Sequence, residues 1–77
     1  MKLTNKEKQV LWDQIGQNIE QYRSKLDITQ SELAQKAGFS LLFIGLIERG
    51  KRPAPVATLA SIAEALKVKV ADLLKGV

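Results

Sequence analysis

The segment from Thr29 to Gly50 constrains the fold of this chain more than any other. Thr29 and Glu32 have the spacing of a capping box, in which each side chain satisfies a free backbone N–H of the first helical turn. Apolar residues then recur at helical spacing, and Gly38 stands where a helix end needs a left-handed residue. The segment therefore begins with a short helix that ends in a tight turn.

A second short helix follows this turn. Ser40 can cap it, and the helix should run from Leu41 to about Arg49 with Ile44 and Ile47 on its inner side. Gly50 ends it. Two short helices joined by a glycine-containing turn of about three residues are typical of a helix-turn-helix.

Residues inside and around this motif resemble the phage repressor and Cro family, also called the xenobiotic-response-element (XRE) family. The similarity extends over residues 15–74 and is carried by Ile15-Gly16, Ile19, Arg23, Thr29-Gln30, Glu32-Leu33-Ala34, Gly38, Ile44, Ile47-Glu48-Arg49-Gly50, Lys51-Arg52-Pro53, Leu59, Ile62-Ala63 and Leu66. It implies an all-α, compact five-helix bundle of the lambda-repressor-like DNA-binding type, with the helix-turn-helix formed by the second and third helices. The small controller proteins of restriction–modification systems are similar in length and layout, and the resemblance fits a stand-alone repressor or an antitoxin equally well.

Residues 1–77 are expected to form one helix-turn-helix domain, in which residues 1–14 are an N-terminal extension of the first helix. Thr4 and Glu7 form another capping box, which predicts a first helix from Asn5 to about Lys25. Its apolar stripe consists of Trp12, Ile15, Ile19, Tyr22 and Leu26. The extension is either a solvated helical segment or a contact with a second subunit through Leu11 and Trp12.

Two further helices are expected after the basic loop. The fourth starts at Pro55, which suits a first helical position because its missing N–H has no partner there. Its core stripe should comprise Val56, Leu59, Ile62, Ala63 and Leu66. The fifth should extend from about Val70 to Lys75, and Gly76 closes it.

The absence of two residue types excludes several classes of chemistry. The 77 residues contain no cysteine and no histidine, so disulfides, thiolate or imidazole metal sites and the usual nucleophile–base pairs are excluded. No apolar run approaches the roughly 20 residues of a membrane span, and the N-terminus lacks the core of a signal peptide. We therefore expect a cytoplasmic protein that is not an enzyme and that uses no cofactor, metal, membrane contact or small-molecule effector.

The outward face of the third helix is the predicted DNA-reading surface. The resemblance implies that the positions of Leu41, Leu42, Gly45 and Leu46 face the bases in the major groove. Leucine has no hydrogen-bonding group, so these residues can contact thymine methyl groups but cannot make bidentate contacts to purines. Alternatively, the same apolar face could bind a protein partner.

The residues expected to contact phosphates flank this helix. They are Gln30, Ser40, Arg49, Lys51 and Arg52, which supply an amide, a hydroxyl and three cations. A net charge of +4 is compatible with a polyanionic partner. Such contacts would position the protein on double-stranded DNA without reading its sequence.

The resemblance also implies two structural contacts. Arg23 and Glu48 should form an ion pair between the first and third helices, and the C-terminal helix should pair two subunits. The candidate residues for that dimer interface are Val70, Leu73, Leu74 and Val77. The resulting hypothesis is a homodimeric, sequence-specific transcriptional repressor, and the alternative is a protein-interaction module with the same fold.

Overall fold

Five helices make up the fold in the computed structural model, which describes residues 2–77. They are α1 (Asn5–Lys25), α2 (Gln30–Ala37), α3 (Leu41–Glu48), α4 (Val56–Leu66) and α5 (Val70–Leu73). Residues 2–77 contain no strand. The predicted all-α, five-helix fold is confirmed.

The first three helices begin at the caps that the sequence predicts. In each capping box the threonine hydroxyl accepts from a glutamate N–H and the glutamate carboxylate accepts from the threonine N–H, at 2.8–3.1 Å for Thr4 and Glu7 and at 2.9–3.0 Å for Thr29 and Glu32. The hydroxyl of Ser40 accepts from the third N–H of α3 at 3.1 Å. These bonds satisfy donors that a helix start leaves without intrahelical partners.

The core draws apolar side chains from every helix. Its buried members are Ile15, Ile19, Leu33, Ala34, Ile44, Ile47, Ala54, Leu59, Ile62, Ala63, Leu66 and Leu73. Trp12 and Tyr22 pack against it while remaining half-buried. Burial of each large aliphatic side chain stabilises the fold by about 1.5–3 kcal/mol.

Three predictions at helix ends are wrong. Val56 is 74% exposed, because α4 begins at this residue and Pro55 is its N-cap, so Val56 lies at the rim of the bundle. Leu26 is also exposed, because α1 ends at Lys25 and Leu26 is its C-cap. The last helix ends at Leu73 instead of Lys75.

Gly16 sets the distance between α1 and α3. A Cβ atom at this position would lie only 2.6 Å from the carbonyl oxygen of Ile47, closer than two such atoms can approach. The absence of a side chain therefore allows the backbones of the two helices to come into contact. This contact fixes the position of the helix that carries the predicted DNA-reading surface.

Asn18 joins α1 to the end of α5. Its buried side-chain amide donates to the carbonyl oxygens of Leu73 at 2.9 Å and Lys75 at 2.7 Å, and its oxygen accepts from Gln14 at 2.9 Å. These carbonyl groups lie at the C-terminal end of a helix, where intrahelical donors are missing. The sequence pattern did not predict this contact.

Two kinds of structural feature are absent from the described part of the chain. Within residues 2–77, no helix combines the length and the apolar content needed to cross a membrane. The same residues contain no cluster of three or more side chains suited to holding a metal ion.

Candidate nucleic-acid interface

Helix α3 has one buried face and one exposed face. Ile44, Ile47 and Glu48 are buried, as the helical spacing predicts. On the other face Leu41 is 52% exposed and Leu42 is 69% exposed. Large apolar side chains at the start of a helix are therefore accessible to a partner.

Leu46 and Gly45 differ from the expectation that both face freely outward. Leu46 is half-buried, and Gly45 is buried although Leu41 and Arg49, one helical turn away on either side, are exposed. A Cβ atom at Gly45 would lie 3.4 Å from Nη1 of Arg49 and 3.8 Å from Oε1 of Gln30. The side chains of Arg49 and Gln30 thus cover the glycine, which forms part of a cavity of about 340 Å³ lined by Gln30, Leu41, Leu42, Gly45 and Arg49.

An ion pair holds α3 against α1. Arg23 donates from Nε to Oε2 of Glu48 at 2.8 Å and from Nη2 to Oε1 at 3.1 Å, and its Nη1 donates to the carbonyl oxygen of Ile28 at 3.0 Å. The hydrogen bond to Glu48 raises the pKa of Arg23 above its ordinary value. The structure thus brings together the two residues that the resemblance implied would pair.

The same carboxylate orients Gln30, one of the expected phosphate ligands. The side-chain nitrogen of Gln30 donates to Oε1 of Glu48 at 3.0 Å. An ionised carboxylate only accepts hydrogen bonds, so the amide must direct its nitrogen to Glu48 and its oxygen elsewhere. One N–H of Gln30 is engaged within the protein, which leaves the other for a phosphate.

The remaining expected phosphate ligands lie at the two ends of α3. The oxygen of Ser40 accepts from the N–H of Phe43, so the hydroxyl hydrogen remains available for donation. After the helix, Lys51 and Arg52 are exposed, and the guanidinium of Arg52 lies 5.1 Å from the ring centroid of Phe43. This cation–π contact holds one cation of the basic loop beside the first turn of α3.

The N-terminal extension contacts the end of α3 in the same chain. The side-chain nitrogen of Gln9 donates to the carbonyl oxygen of Gly50 at 2.7 Å and to Oδ1 of Asp13 at 2.8 Å. Gly50 has φ +70°, and a Cβ atom there would clash with Asp13. The extension is thus packed in part against the turn that carries the basic residues, a role that sequence spacing could not indicate across 41 positions.

The surface expected to pair two subunits is smaller than predicted. Leu73 is fully buried within this chain, so it belongs to the core and is unavailable to a second subunit. Val70 is half-buried, whereas Leu74 and Val77 are exposed. The candidate dimer surface therefore consists of Val70, Leu74 and Val77.

Comparison with known proteins gives the family. Residues 19–73 match the helix-turn-helix family HTH_3. The chain is 35% identical over 60 residues to the HTH-type transcriptional regulator y4dJ of Sinorhizobium fredii, with 78% of each chain covered. It is 33% identical over 60 residues to the control protein C.SmaI of Serratia marcescens, which covers 78% of this chain and 71% of that protein.

Solved structures agree with this assignment. The restriction-modification controller protein C.AhdI from Aeromonas hydrophila superposes with a TM-score of 0.79 at 26% identity, over 80% of this chain and 94% of that one. The P22 c2 repressor, solved with a synthetic operator, superposes with a TM-score of 0.74 at 32% identity, over 82% and 96% of the two chains. The family consists of transcriptional regulators and not of enzymes, as the sequence predicts. The chain belongs to the HTH_3 helix-turn-helix family, of the Cro and C1 repressor type.

Proposed function

We propose that this protein binds double-stranded DNA as a homodimeric transcriptional repressor, with α3 lying in the major groove. The observation that carries the proposal is the exposed outer face of α3, which has a free hydroxyl at its start and cations at its end. A major groove about 12 Å wide admits an α-helix. The P22 c2 repressor shares this fold and was solved with operator DNA, which supports the same mode of binding here.

Phosphate contacts are assigned to groups on both sides of the inserted helix. Ser40 and the second N–H of Gln30 would donate on one side, and Lys51 and Arg52 would neutralise phosphates on the other. Each neutralised phosphate releases counterions, so binding should weaken as salt rises. These contacts fix the orientation of α3 and leave base recognition to its outer face.

A second subunit follows from the size of the interface. One such module covers too little DNA for tight specific binding, and a dimer reaches two half-sites about 34 Å apart. The exposed Leu74 and Val77, with the half-buried Val70, form the surface proposed to pair the subunits. Val70 begins α5, and Leu74 and Val77 follow its end, which is consistent with pairing through the C-terminal helix.

The experiment is selection of bound duplexes from a randomised DNA pool, followed by affinity measurements at several salt concentrations. We expect an enriched palindrome with half-sites about one turn apart and a steep fall in affinity with salt. Arg52→Ala should reduce the salt slope by about 1.8, because it removes one phosphate contact from each subunit of the dimer. Lys6→Ala, which removes the same charge from the N-terminal extension, should change the slope less. An absence of any enriched motif would overturn the proposal.

The dimer has its own test. Leu74→Glu should shift sedimentation from dimer to monomer, because it introduces a charge into the proposed interface. Val10→Glu places the same charge on the exposed face of α1 and should leave the dimer intact. Loss of the dimer in Val10→Glu alone would instead assign the contact to the N-terminal extension.

A second candidate function is a protein-interaction module, and the exposure of Leu41 and Leu42 favours it. In that case a protein partner would cover the outer face of α3, and Arg52→Ala would leave partner binding unchanged. The cations at the end of α3 favour DNA, because a polyanion complements them along the same surface.

A further inference from the structure

We propose that the cavity at Gly45 binds the C5-methyl group of a thymine, and that Arg49 reads a guanine next to that thymine. This inference rests on the proposed function and specifies what α3 recognises. It also assigns Arg49 to base edges, whereas the sequence had suggested a phosphate contact.

The cavity exists because one position on the outer face of α3 lacks a side chain. Leu41, Gly45 and Arg49 are spaced four residues apart and therefore neighbour one another along the helix surface. Leu42 lies three residues before the glycine and lines the same cavity of about 340 Å³. Gln30 and Arg49 contact the glycine itself, and a methyl group can enter the part of the cavity that Leu41 and Leu42 line.

Thymine is the base whose chemistry suits this cavity. In the major groove it presents a methyl group, which apolar side chains contact, whereas the other three bases present only donors and acceptors there. Leu41 and Leu42 lack hydrogen-bonding groups, so a polar base edge placed against them would lose its hydrogen bonds to water and gain none from the protein. A buried methyl group instead gains from leaving water.

The orientation of Arg49 supports the guanine contact. Its Nη1 lies 3.4 Å from the Cβ position of Gly45, one helical turn before Arg49 itself. The guanidinium therefore extends back along the outer face of α3 and lines the cavity. Within residues 2–77 no carboxylate lies close enough to form an ion pair with it. Guanine offers the O6 and N7 acceptors that a guanidinium can bind in a bidentate manner.

Gln30 makes the cavity a fixed feature of the protein. Its amide nitrogen is held by Glu48 at 3.0 Å, so the side chain stays against the glycine. Its oxygen lies 3.8 Å from the Cβ position of Gly45. The cavity wall is therefore ordered by the same carboxylate that binds Arg23.

DNA is a better occupant of this site than an apolar protein segment. Covering the cavity with an apolar segment would desolvate the guanidinium of Arg49 without offering it an acceptor, which is unfavourable. A thymine and the adjacent guanine supply a methyl group and hydrogen-bond acceptors on one surface of the major groove. Lys51 and Arg52, exposed after α3, add attraction for the adjacent phosphates.

The test uses the selected operator with single-atom changes. Deoxyuridine replaces each thymine in turn and removes only the methyl group. At one position per half-site we expect the affinity to fall about fourfold, because the complex no longer buries one methyl group away from water. Gly45→Ala places a methyl group in the cavity and should reduce the difference in affinity between the thymine and deoxyuridine operators. The alanine should fold, since its Cβ would meet the end of a flexible arginine and its helix propensity exceeds that of glycine.

The guanine contact is tested in the same way. Replacing the neighbouring guanine by 7-deazaguanine removes the N7 acceptor and should weaken binding by about fivefold or more, and Arg49→Ala should abolish that difference. Lys51→Ala, a matched control for the loss of one cation, should preserve the difference.

Three outcomes would overturn the inference. If no deoxyuridine substitution changes the affinity for an enriched operator, the methyl site is wrong while the proposed function stands. If Arg49→Ala weakens binding equally with guanine and 7-deazaguanine, Arg49 contacts phosphate and its assignment to guanine is wrong. If no operator is enriched, the proposed function fails and the inference fails with it.

Discussion

The guanidinium of Arg23 and the carboxylate of Glu48 meet through hydrogen bonds of 2.8 and 3.1 Å, which join α1 to the last turn of α3. Only 4% of Glu48 is exposed. Removal of the arginine would leave a buried carboxylate with Gln30 as its remaining side-chain donor. The pair therefore links stability to the position of α3.

Arg23→Ala should lower the free energy of unfolding by about 3 kcal/mol, because an uncompensated buried charge is costly. Urea unfolding monitored by circular dichroism would measure the change. Lys8→Ala, on the exposed part of the same helix, is the control and should cost less than about 0.5 kcal/mol. Equal effects of the two substitutions would show that the ion pair does not stabilise the fold.

Gly16→Ala should destabilise the protein even though alanine is the better helix former by about 1 kcal/mol. The added Cβ would lie 2.6 Å from the carbonyl oxygen of Ile47, and backbone at this contact cannot rotate away as a side chain could. We expect a net loss of about 1–3 kcal/mol. Chemical denaturation of this variant beside Gln17→Ala, its exposed neighbour, would test the sign, and a stabilised Gly16→Ala would contradict the close approach.

Gln9→Ala should weaken both folding and DNA binding. The side chain donates to the carbonyl oxygen of Gly50 at 2.7 Å, immediately before the basic loop. Loss of such a hydrogen bond costs about 0.5–1.5 kcal/mol. The affinity for the selected operator should fall in the same variant, because Lys51 and Arg52 follow the carbonyl that is released. Gln21→Ala, exposed on α1, provides the comparison, and unchanged affinity in Gln9→Ala would confine its role to stability.

The capping box at the start of α2 predicts acid sensitivity. The backbone N–H of Thr29 holds the pKa of Glu32 below its ordinary value of 4.5. The unfolded chain therefore binds a proton more readily, so this stabilisation is present above pH 4.5 and is lost as the pH falls through the lowered pKa. The thermal midpoint should therefore fall as the pH drops below 4.5.

Glu32→Gln isolates this contribution, because glutamine also completes a capping box but does not ionise. Its thermal midpoint should fall less than that of the wild-type protein between roughly pH 5 and pH 3. Glu64→Gln makes the same change in charge at an exposed position of α4 and is the control. Identical pH profiles for the wild type and Glu32→Gln would rule out the mechanism.

The sequence predicted those features that depend on neighbours within one or two helical turns. Thr29 with Glu32, Gly38, and the buried Ile44 are confirmed because capping and helical spacing are local properties. The burial of Gly45 was missed because two longer side chains cover it, which spacing on one helix cannot indicate.

Contacts between distant parts of the chain could not be predicted from the pattern. Asn18 reads as an ordinary polar residue of α1, yet its partners lie 55 and 57 positions away. Leu73 was expected at the dimer surface, and only the docking of α5 assigns it to the core. Tertiary packing decided these residues, because their types fit more than one environment.

The four-residue helix α5 depends on α1, because the amide of Asn18 donates a hydrogen bond to its last residue. So short a helix is unstable in isolation, since nucleation costs more than its few hydrogen bonds return. Its order therefore depends on packing against the rest of the bundle, which includes the buried Leu73 and the hydrogen bonds from Asn18 in the middle of α1. If α1 opens at this position, α5 should exchange its amide hydrogens in the same event, and the surface proposed for the second subunit should be lost with it. Folding of the N-terminal helix and assembly at the C-terminus would then form one cooperative equilibrium.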